Sequence, residues 1–521
     1  MPADGFMPFP AERAARYRAA GYWAGRPVDA LLRHAATRWP ARIAVIDTDN
    51  SHSYAELDRL ADRAAAGLAA RGIAPGDRVL LALPNSVRFA VALFGLLRAG
   101  AIPVLCLPGH RTAELSHFAE VSGAVGLVSA DALAGDFEHL PHVIGVNELD
   151  DLAAGTPPSF DINTTAPALL LVSGGTTGLP KLIARTHDDY VYNATASAAL
   201  CRLTGADVYL VALPAAHNFP LACPGLLGAI SVGATTVFTA DPSPEAAFTA
   251  IARHGVTVTA LVPTLATMWA AACEWEPNPP TTLRLLQVGG AKLPAEDARR
   301  IRTSLTPGLQ QVFGMAEGLL NFTRIGDPPE TVEHTQGRPL SDADELRVVD
   351  EAGVDVPAGG EGELLVRGPY TINGYYGYFA ASTDHARSFT ADGFYRTGDR
   401  VRRLDGGYLE VTGRTKDVIH RGGETIAAAD VEEHLLTHPA ISAVAAVPLP
   451  DDYLGERVCV AAVFAGPPVD LAELNGYLAG RGVATHTRCD VLVALPVLPV
   501  TSVGKVDKKT LAAQIQGQTV G

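Results

Sequence analysis

Cysteine is scarce in this chain and never clustered. The 521 residues hold six, Cys106, Cys201, Cys223, Cys273, Cys459 and Cys489, with no Cys-x-x-Cys pair. That spacing excludes a disulfide framework and a zinc site, and a reduced cytoplasm is the expected compartment. A basic excess is missing as well. Against 41 Lys and Arg stand 56 Asp and Glu, a formal charge of −15, which argues against a nucleic-acid partner. No long unbroken apolar run is present. The stretch from Val87 to Leu107 is interrupted by Arg88, Arg98, Gly100 and Pro103, so it reads as a helix and a buried strand, not a membrane span. The N-terminus, Met-Pro-Ala-Asp-Gly-Phe-Met-Pro, carries an acid and prolines where an export signal needs a basic and then an apolar run. Internal repeats and low-complexity tracts are lacking.

What the chain does have is an ordinary globular composition, 48% apolar and 19% charged. Its length exceeds one hydrophobic core, so two or more domains are expected. Ser53-Tyr54-Ala55-Glu56 is a capping-box pattern followed by Leu57, Leu60, Ala61, Ala64 and Leu68 at helical spacing, with Gly72 as the stop. Strand 77–83 follows, and Asn85 is expected to cap the next helix. Strands near 103–107, 125–129, 208–213, 235–238 and 258–262 alternate with helices at 112–121, 225–232 and 244–254. That alternation predicts an α/β fold with parallel sheets covered on both faces. From about residue 340 short strands separated by Gly, Pro and Asp predict a β-rich lobe. After Gly413-Arg414-Thr415-Lys416-Asp417 a compact α+β tail follows, large enough for a small separate domain. The expected division is 1–415 and 416–521, hinged at Lys416.

The most informative stretch is Leu169-Leu170-Leu171-Val172-Ser173-Gly174-Gly175-Thr176-Thr177-Gly178-Leu179-Pro180-Lys181. A strand-like run ends in glycines, hydroxyls and a lysine, which is the chemistry of a phosphate cradle. It is not a Walker A loop: counted from Gly175, Pro180 stands where Gly is required and Leu182 where Ser or Thr is required. Two further strand ends carry small residues suited to a flat nucleobase, Gly289-Gly290-Ala291-Lys292 and Gly314-Met315-Ala316-Glu317. Glu317 adds a hard oxygen ligand, and magnesium on ATP phosphates is held by only one or two carboxylates. Asp399, in Thr397-Gly398-Asp399, offers a carboxylate to two ribose hydroxyls. Lys505 lies in a C-terminal basic run.

Taken together, identity, order and spacing of these segments resemble the adenylate-forming superfamily of acyl-CoA synthetases, peptide-synthetase adenylation domains and firefly luciferase. The resemblance runs from Tyr54 to Lys505. It implies a large N-terminal domain of two αβ-layered subdomains plus a β-rich lobe, and a small mobile α+β C-terminal domain. It implies that Ser173, Gly174, Gly175, Thr176, Thr177, Gly178 and Lys181 form the phosphate loop. Gly290, Val312 and Ala316 are implied adenine-site positions, Glu317 the magnesium ligand, Asp399 with Arg414 the ribose site, and Lys416 the hinge that reaches ATP. Lys505 is the implied catalytic lysine. Thr425 stands where relatives carry lysine.

Within that superfamily the closest likeness is to free-standing aryl-acid activating enzymes of siderophore assembly. It rests on the stretch His217–Gly225, on Arg185-Thr186-His187-Asp188-Asp189-Tyr190 and on Gly314–Asn321. The likeness implies an aryl-acid pocket of His217, Asn218, Phe219, Cys223, Gly290 and Leu320, in which Asn218 recognises an ortho-hydroxyl. Adenylation domains for amino acids hold an aspartate here, which is not seen. Cys223 and Leu320 match the salicylate type, where the 2,3-dihydroxybenzoate type has Ser and Val. The implied reaction uses ATP and Mg²⁺ to form aryl-AMP and pyrophosphate. A phosphopantetheine thiol then takes the aryl group. Few residues follow Lys505, so a separate aryl carrier protein is the expected partner, with Arg421, Lys508 and Lys509 as candidate docking cations. The alternatives are a 2,3-dihydroxybenzoate-AMP ligase, transfer to free coenzyme A, and a nucleotide-binding regulator without catalysis.

Overall fold

The computed structural model describes residues 5–519, apart from 131–134, 138, 150–154, 174–179, 277–278, 378–382, 416, 423, 452, 482, 484–486 and 502–503. Its first long helix forms where the capping box starts it. The Glu56 N–H donates to Ser53 Oγ at 3.3 Å and the Ser53 N–H to Glu56 Oε2 at 2.8 Å, satisfying two otherwise orphaned donors of the helix Tyr54–Ala70. Its apolar face packs on the helix Val87–Arg98. Gly95 permits the close crossing, because a Cβ there would lie 2.6 Å from the Ala64 Cβ.

Asn85 does not cap that second helix. Ser86 does, accepting from the Phe89 N–H at 3.2 Å. The Asn85 amide is used instead as a cross-link, donating to the carbonyls of Val211, Leu213 and Thr239 and accepting from the Ala215 N–H. Three carbonyls at the ends of two neighbouring strands, Val208–Val211 and Thr235–Phe238, converge on one side chain, and a cap would have left them unanswered.

Among the described residues the strands form four sheets. A six-stranded sheet runs in the order His142–Gly145, Gly126–Ser129, Arg78–Ala82, Ile102–Leu105, Pro167–Val172, Leu182–Thr186. It is parallel except for the last pair. A nine-stranded sheet has a parallel centre, Leu309–Gly314, Leu285–Gly289, Val258–Leu261, Val208–Val211, Thr235–Phe238 and Ile43–Ile46. Its antiparallel edges are Leu320–Phe322 with Arg338–Pro339 at one side and Ser51–Ser53 at the other. The largest hydrophobic cluster draws on both sheets and on the helices between them, from Val28 to Leu409. An antiparallel four-stranded sheet follows (Glu345–Val349, Glu361–Arg367, Tyr395–Arg403, Leu409–Arg414). The remaining sheet spans Val418 to Ala494, and two hydrophobic clusters around it are built wholly from residues 419–515. All six cysteines are unpaired thiols; five are buried and Cys273 is half-buried. Among the described residues no helix is long and apolar enough to cross a membrane.

The helix Val87–Arg98 ends in a charge inside the core. The Arg98 side chain is 1% exposed and meets Asp29 at 2.9 Å, Asp58 at 2.6 Å and Asp62 at 2.7 Å. Burial works against its charge, and the Asp29 and Asp58 carboxylates more than offset this, raising its pKa. Removing one member of a buried ion cluster strands the others. Arg98→Met is therefore expected to destabilise the protein by roughly 3–5 kcal/mol. Arg59→Met on the exposed face of the neighbouring helix should stay within about 0.5 kcal/mol. Urea denaturation of the two variants checks the contrast.

Candidate active site

Parallel sheets bind ligands beyond the carboxyl ends of their strands, where the chain leaves the sheet and backbone donors are free to turn outward. The candidate residues collect there. Ser173 follows the strand Pro167–Val172, Gly290 follows Leu285–Gly289, and Ala316 and Glu317 follow Leu309–Gly314. At the neck of the glycine loop the Ser173 N–H donates to the Lys181 carbonyl at 2.8 Å and the Lys181 N–H to Ser173 Oγ at 2.9 Å. The tip of that loop, Gly174 to Gly178, lies outside the described residues, as does Lys416. The side chain of Thr425, on the strand Glu424–Ala427, is likewise outside them.

Tyr375, which the sequence reading missed, sits between the loop and the carboxylate. Its hydroxyl donates to Glu317 Oε1 at 2.7 Å and meets the Tyr395 hydroxyl at 3.0 Å, while the Lys181 ammonium lies 4.6 Å from its ring centroid. Glu317 is a single, nearly buried carboxylate with one oxygen engaged by a phenol. Among the described residues no three His, Cys, Asp or Glu side chains group as a metal cage. A lone carboxylate of this kind fits a magnesium ion that arrives on ATP phosphates and keeps most of its other ligands.

Asp399 lies within the strand Tyr395–Arg403, directly opposite Arg414, whose Nε donates to Asp399 Oδ1 at 2.8 Å. Lys505 reaches the same place from the other end of the chain. Its alkyl stem crosses Gly290, where a Cβ would stand 2.8 Å from Lys505 Cε. Thr264 holds the lysine's loop by donating to the Gly504 carbonyl at 2.7 Å. Burial first, and then the Arg414 charge, lower the Lys505 pKa; Asp399 and Glu317 oppose them. Five expected residues thus face one cleft: Gly290, Glu317, Asp399, Arg414 and Lys505.

The second group, the expected lining of an aryl-acid pocket, adjoins the first: Gly289 abuts Phe219, and the Lys505 charge acts on His217. Asn218, 5% exposed, accepts from the Tyr190 hydroxyl at 2.9 Å through Oδ1, and its Nδ2 stands 3.5 Å from Cys223 Sγ. Burial pushes the Cys223 thiol up to about 12, so its sulfur stays protonated. His217 caps the short helix Asn218–Ala222, its Nδ1 accepting from the Phe219 N–H at 3.2 Å. Phe219, Val312 and Leu320 are buried, and Gly289 abuts both Phe219 and Val312, where a Cβ would lie 3.2 Å from a Phe219 ring carbon. Gly314 makes room for Leu320, whose Cδ2 would lie 2.5 Å from a Cβ there.

The base of this pocket was only half legible. Arg185 is fully buried; it donates to Asp189 at 2.8 Å, to the Ala316 carbonyl at 3.1 Å and to Asn193 at 3.4 Å. Asn193 in turn holds the Ala222 carbonyl at 2.6 Å. The signal available was the capping box at Thr186, which announced a helix start but not the inward turn of Arg185.

Two expected docking cations are committed elsewhere. Lys508 is bonded to Asp417 and Glu432, each at 2.8 Å, and Arg421 forks onto Asp490 at 2.8 and 2.7 Å. Half-buried acids 91 and 69 residues away in sequence claim them, which a run of basic residues does not disclose.

Residues 32–376 match the AMP-binding enzyme family and residues 430–505 the AMP-binding enzyme C-terminal domain. The chain belongs to the AMP-binding enzyme family. It is 66% identical to a salicyl-AMP ligase / salicyl-S-ArCP synthetase of Mycobacterium tuberculosis, over 98% of this chain and 94% of that one. To a 2,3-dihydroxybenzoate-AMP ligase of Bacillus subtilis it is 46% identical over 98% of both. Among solved structures, the apo form of MbtA from Mycobacterium smegmatis shares 66% identity with a TM-score of 0.76, over 98% of this chain and 99% of that one. ATP-bound MatB from Rhodopseudomonas palustris gives a higher TM-score of 0.85 at only 25% identity, over 94% of this chain and 99% of that one.

Two histidines give the pH dependence of the fold a direction. Burial, then the Lys505 charge, lowers His217 to about 3; burial lowers His187, whose Nδ1 accepts from the Val28 N–H at 3.1 Å, to about 4. Both sit near 6.5 in the unfolded chain, so below that pH the unfolded state takes up protons that the folded state refuses. Stability should be greatest above pH 6.5 and fall between pH 6.5 and 5, and His187→Gln should flatten the decline. Urea midpoints across that range decide it; an unchanged slope in the variant would show that His187 is protonated in the fold.

Proposed function

We propose that the chain activates salicylate, or a ring-substituted salicylate, with ATP to give aryl-AMP and pyrophosphate. It then passes the aryl group to the phosphopantetheine thiol of an aryl carrier protein. The observation that carries the substrate reading is the Asn218 carboxamide. Tyr190 occupies and orients its oxygen, and among the described contacts its nitrogen meets only the weak acceptor Cys223 Sγ. An N–H is thereby kept for a phenolic oxygen ortho to the reacting carboxylate. The names of the relatives at 66% and 46% identity support the same class.

In the first half-reaction a carboxylate oxygen of the acid attacks the α-phosphorus. The bond from that phosphorus to the bridging oxygen breaks and pyrophosphate leaves. Negative charge grows on the phosphoryl oxygens, and a fixed cation beside them stabilises it most where water is excluded. Lys505 has that role, positioned over Gly290. The Ser173–Lys181 loop retains the pyrophosphate, and Asp399 holds the ribose. Magnesium, bound through Glu317, supplies further charge neutralisation on the phosphates. His217 stays uncharged, so the pocket does not acquire a second cation that would hold the acid in its ground state.

The second half-reaction brings a thiol sulfur to the carbonyl carbon, breaks the carbon–oxygen bond of the mixed anhydride and releases AMP. Lys505 is needed at the reacting phosphate only in the first half-reaction, so residues from 416 onward act as a mobile domain that withdraws before the thiol attacks. Their separate cores support this. So does the tethering on either side of residue 416, Thr415 to the Gly398 carbonyl and Asp417 to Lys508.

Salicylate-dependent pyrophosphate exchange tests the activity. Lys505→Ala should lower it by roughly 100-fold or more, with the thermal melt unchanged; wild-type exchange in that variant would remove Lys505 from the chemistry. Comparable turnover on free coenzyme A would replace the carrier protein as acceptor. A 3-hydroxyl buried against Cys223 and Leu320 loses water without a good partner. The wild type should therefore favour salicylate over 2,3-dihydroxybenzoate by roughly 10- to 100-fold in kcat/KM. Cys223→Ser combined with Leu320→Val should narrow that gap.

A further inference from the structure

Leu320 lies at the end of a hairpin tip whose own bonds, from the Met315 N–H to the Leu319 carbonyl at 3.3 Å and from the Gly318 N–H to the Met315 carbonyl at 3.1 Å, are joined by braces from outside it. Leu319 adopts φ +63°, a left-handed conformation that a branched side chain adopts only when its surroundings enforce it. Gly318, at φ +117°, lies so close to the passing chain that a Cβ would sit 2.4 Å from the Tyr370 carbonyl oxygen and from Thr371 Cα. The segment around Tyr370 is thus pressed against the tip. It also bonds to it, the Ile372 N–H donating to the Glu317 carbonyl at 2.8 Å.

At Leu320 itself the brace becomes a side chain. The Leu320 N–H donates to the Tyr370 hydroxyl at 3.1 Å, and the Leu320 carbonyl accepts from the Leu340 N–H at 2.7 Å. The Tyr370 hydroxyl has its own direction fixed, because it donates to Asp344 Oδ2 at 2.6 Å. With its proton committed there, its lone pair faces Leu320. Asp344 Oδ2 also accepts from the Ser341 N–H at 3.2 Å, and Ser341 Oγ accepts from the Tyr192 hydroxyl at 2.7 Å. Tyr192 belongs to the helix His187–Leu200, which carries Tyr190 and Asn193 into the same pocket. The chain of contacts therefore ties the position of Leu320 to the opposite wall. Burial raises the Asp344 carboxyl to about 7, the Tyr370 and Ser341 donors pulling against it, and Oδ2 accepts in either protonation state.

We propose that Tyr370, oriented by Asp344, is a positioning residue that sets how far Leu320 projects into the aryl-acid pocket, and so sets discrimination between ring-substituted acids. This rests on the reading of Leu320 as a pocket wall. Tyr370 touches neither substrate nor cofactor; it acts through one backbone N–H.

Tyr370→Phe removes the hydroxyl and keeps the ring. The ratio of kcat/KM for salicylate to that for 2,3-dihydroxybenzoate is expected to shift by roughly 3- to 10-fold, with KM for salicylate rising and KM for ATP staying within about twofold. Asp344→Asn retains an acceptor for the phenol and should keep the wild-type ratio, whereas Asp344→Ala should shift it in the same direction as Tyr370→Phe. An unchanged ratio in Tyr370→Phe, or an equal rise in KM for ATP and both acids, overturns the proposal. Should Tyr370→Phe not fold, the two Asp344 variants decide alone: a ratio lost equally in Asn and Ala, or in neither, overturns it. A wild type that prefers 2,3-dihydroxybenzoate would sink only the substrate reading, since the shift is measured from the wild-type ratio whichever acid leads.

Discussion

The arrangement depends on bringing one ammonium into a cleft from the far end of the chain. Lys505 reaches the ends of the central strands only because Gly290 has no side chain and because Thr264 fixes the Gly504 carbonyl beside it. Burial and Arg414 oppose a charge there, and the two carboxylates expected to handle ribose and metal, Asp399 and Glu317, favour it. The same acids that are expected to serve the nucleotide thus partly offset what burial does to the lysine. On a chain of net charge −15, two cations here stand against two carboxylates, a local balance of sign.

Around that cation the fold separates two tasks. On the proposed reading, small residues after the strands, such as Gly290 and Ala316, serve the nucleotide side, where shape matters more than side-chain chemistry. The aryl side is built from buried polar groups that orient one another: Arg185 bonds Asn193, Asn193 bonds the Ala222 carbonyl, and Tyr190 bonds Asn218. Each of these donors is matched within the protein, so the pocket presents a ligand with few unsatisfied groups. On the proposed reading, that economy is what makes a single extra ring hydroxyl costly.

Local signals carried much of the fold. The helices Gly225–Val232 and Pro244–His254 and the strand Thr235–Phe238 run between the residues that periodicity named, because Gly233, Gly255 and the Ser243–Pro244 cap punctuate them. Asn85 and Ser86 are both good caps, and adjacency alone cannot choose between them; three carbonyls more than 120 residues away make the choice. The strand Ile43–Ile46 is four residues long and owes its place to Thr235–Phe238, far along the chain. Glycine loops and the sites they mark were readable because their composition is itself unusual. Tyr375 against Glu317 and Tyr370 against Leu320 were not, since a tyrosine in a strand-rich segment looks the same whether or not its hydroxyl has work to do.

The burial of the thiols has a practical consequence. Burial raises the pKa of all six, Cys223 and Cys489 to about 12 and Cys459 to about 11, so little reactive thiolate is available in the native protein. Cys273 alone is half-buried, at the end of the helix Pro263–Ala272. A thiol reagent applied under native conditions would tag Cys273 first and the others only as their surroundings open. Cys459 and Cys489 lie in the C-terminal clusters, and Cys106, Cys201 and Cys223 among the large-domain strands and helices. The order of labelling would therefore time the breathing of the two parts of the molecule separately, with no engineered probe.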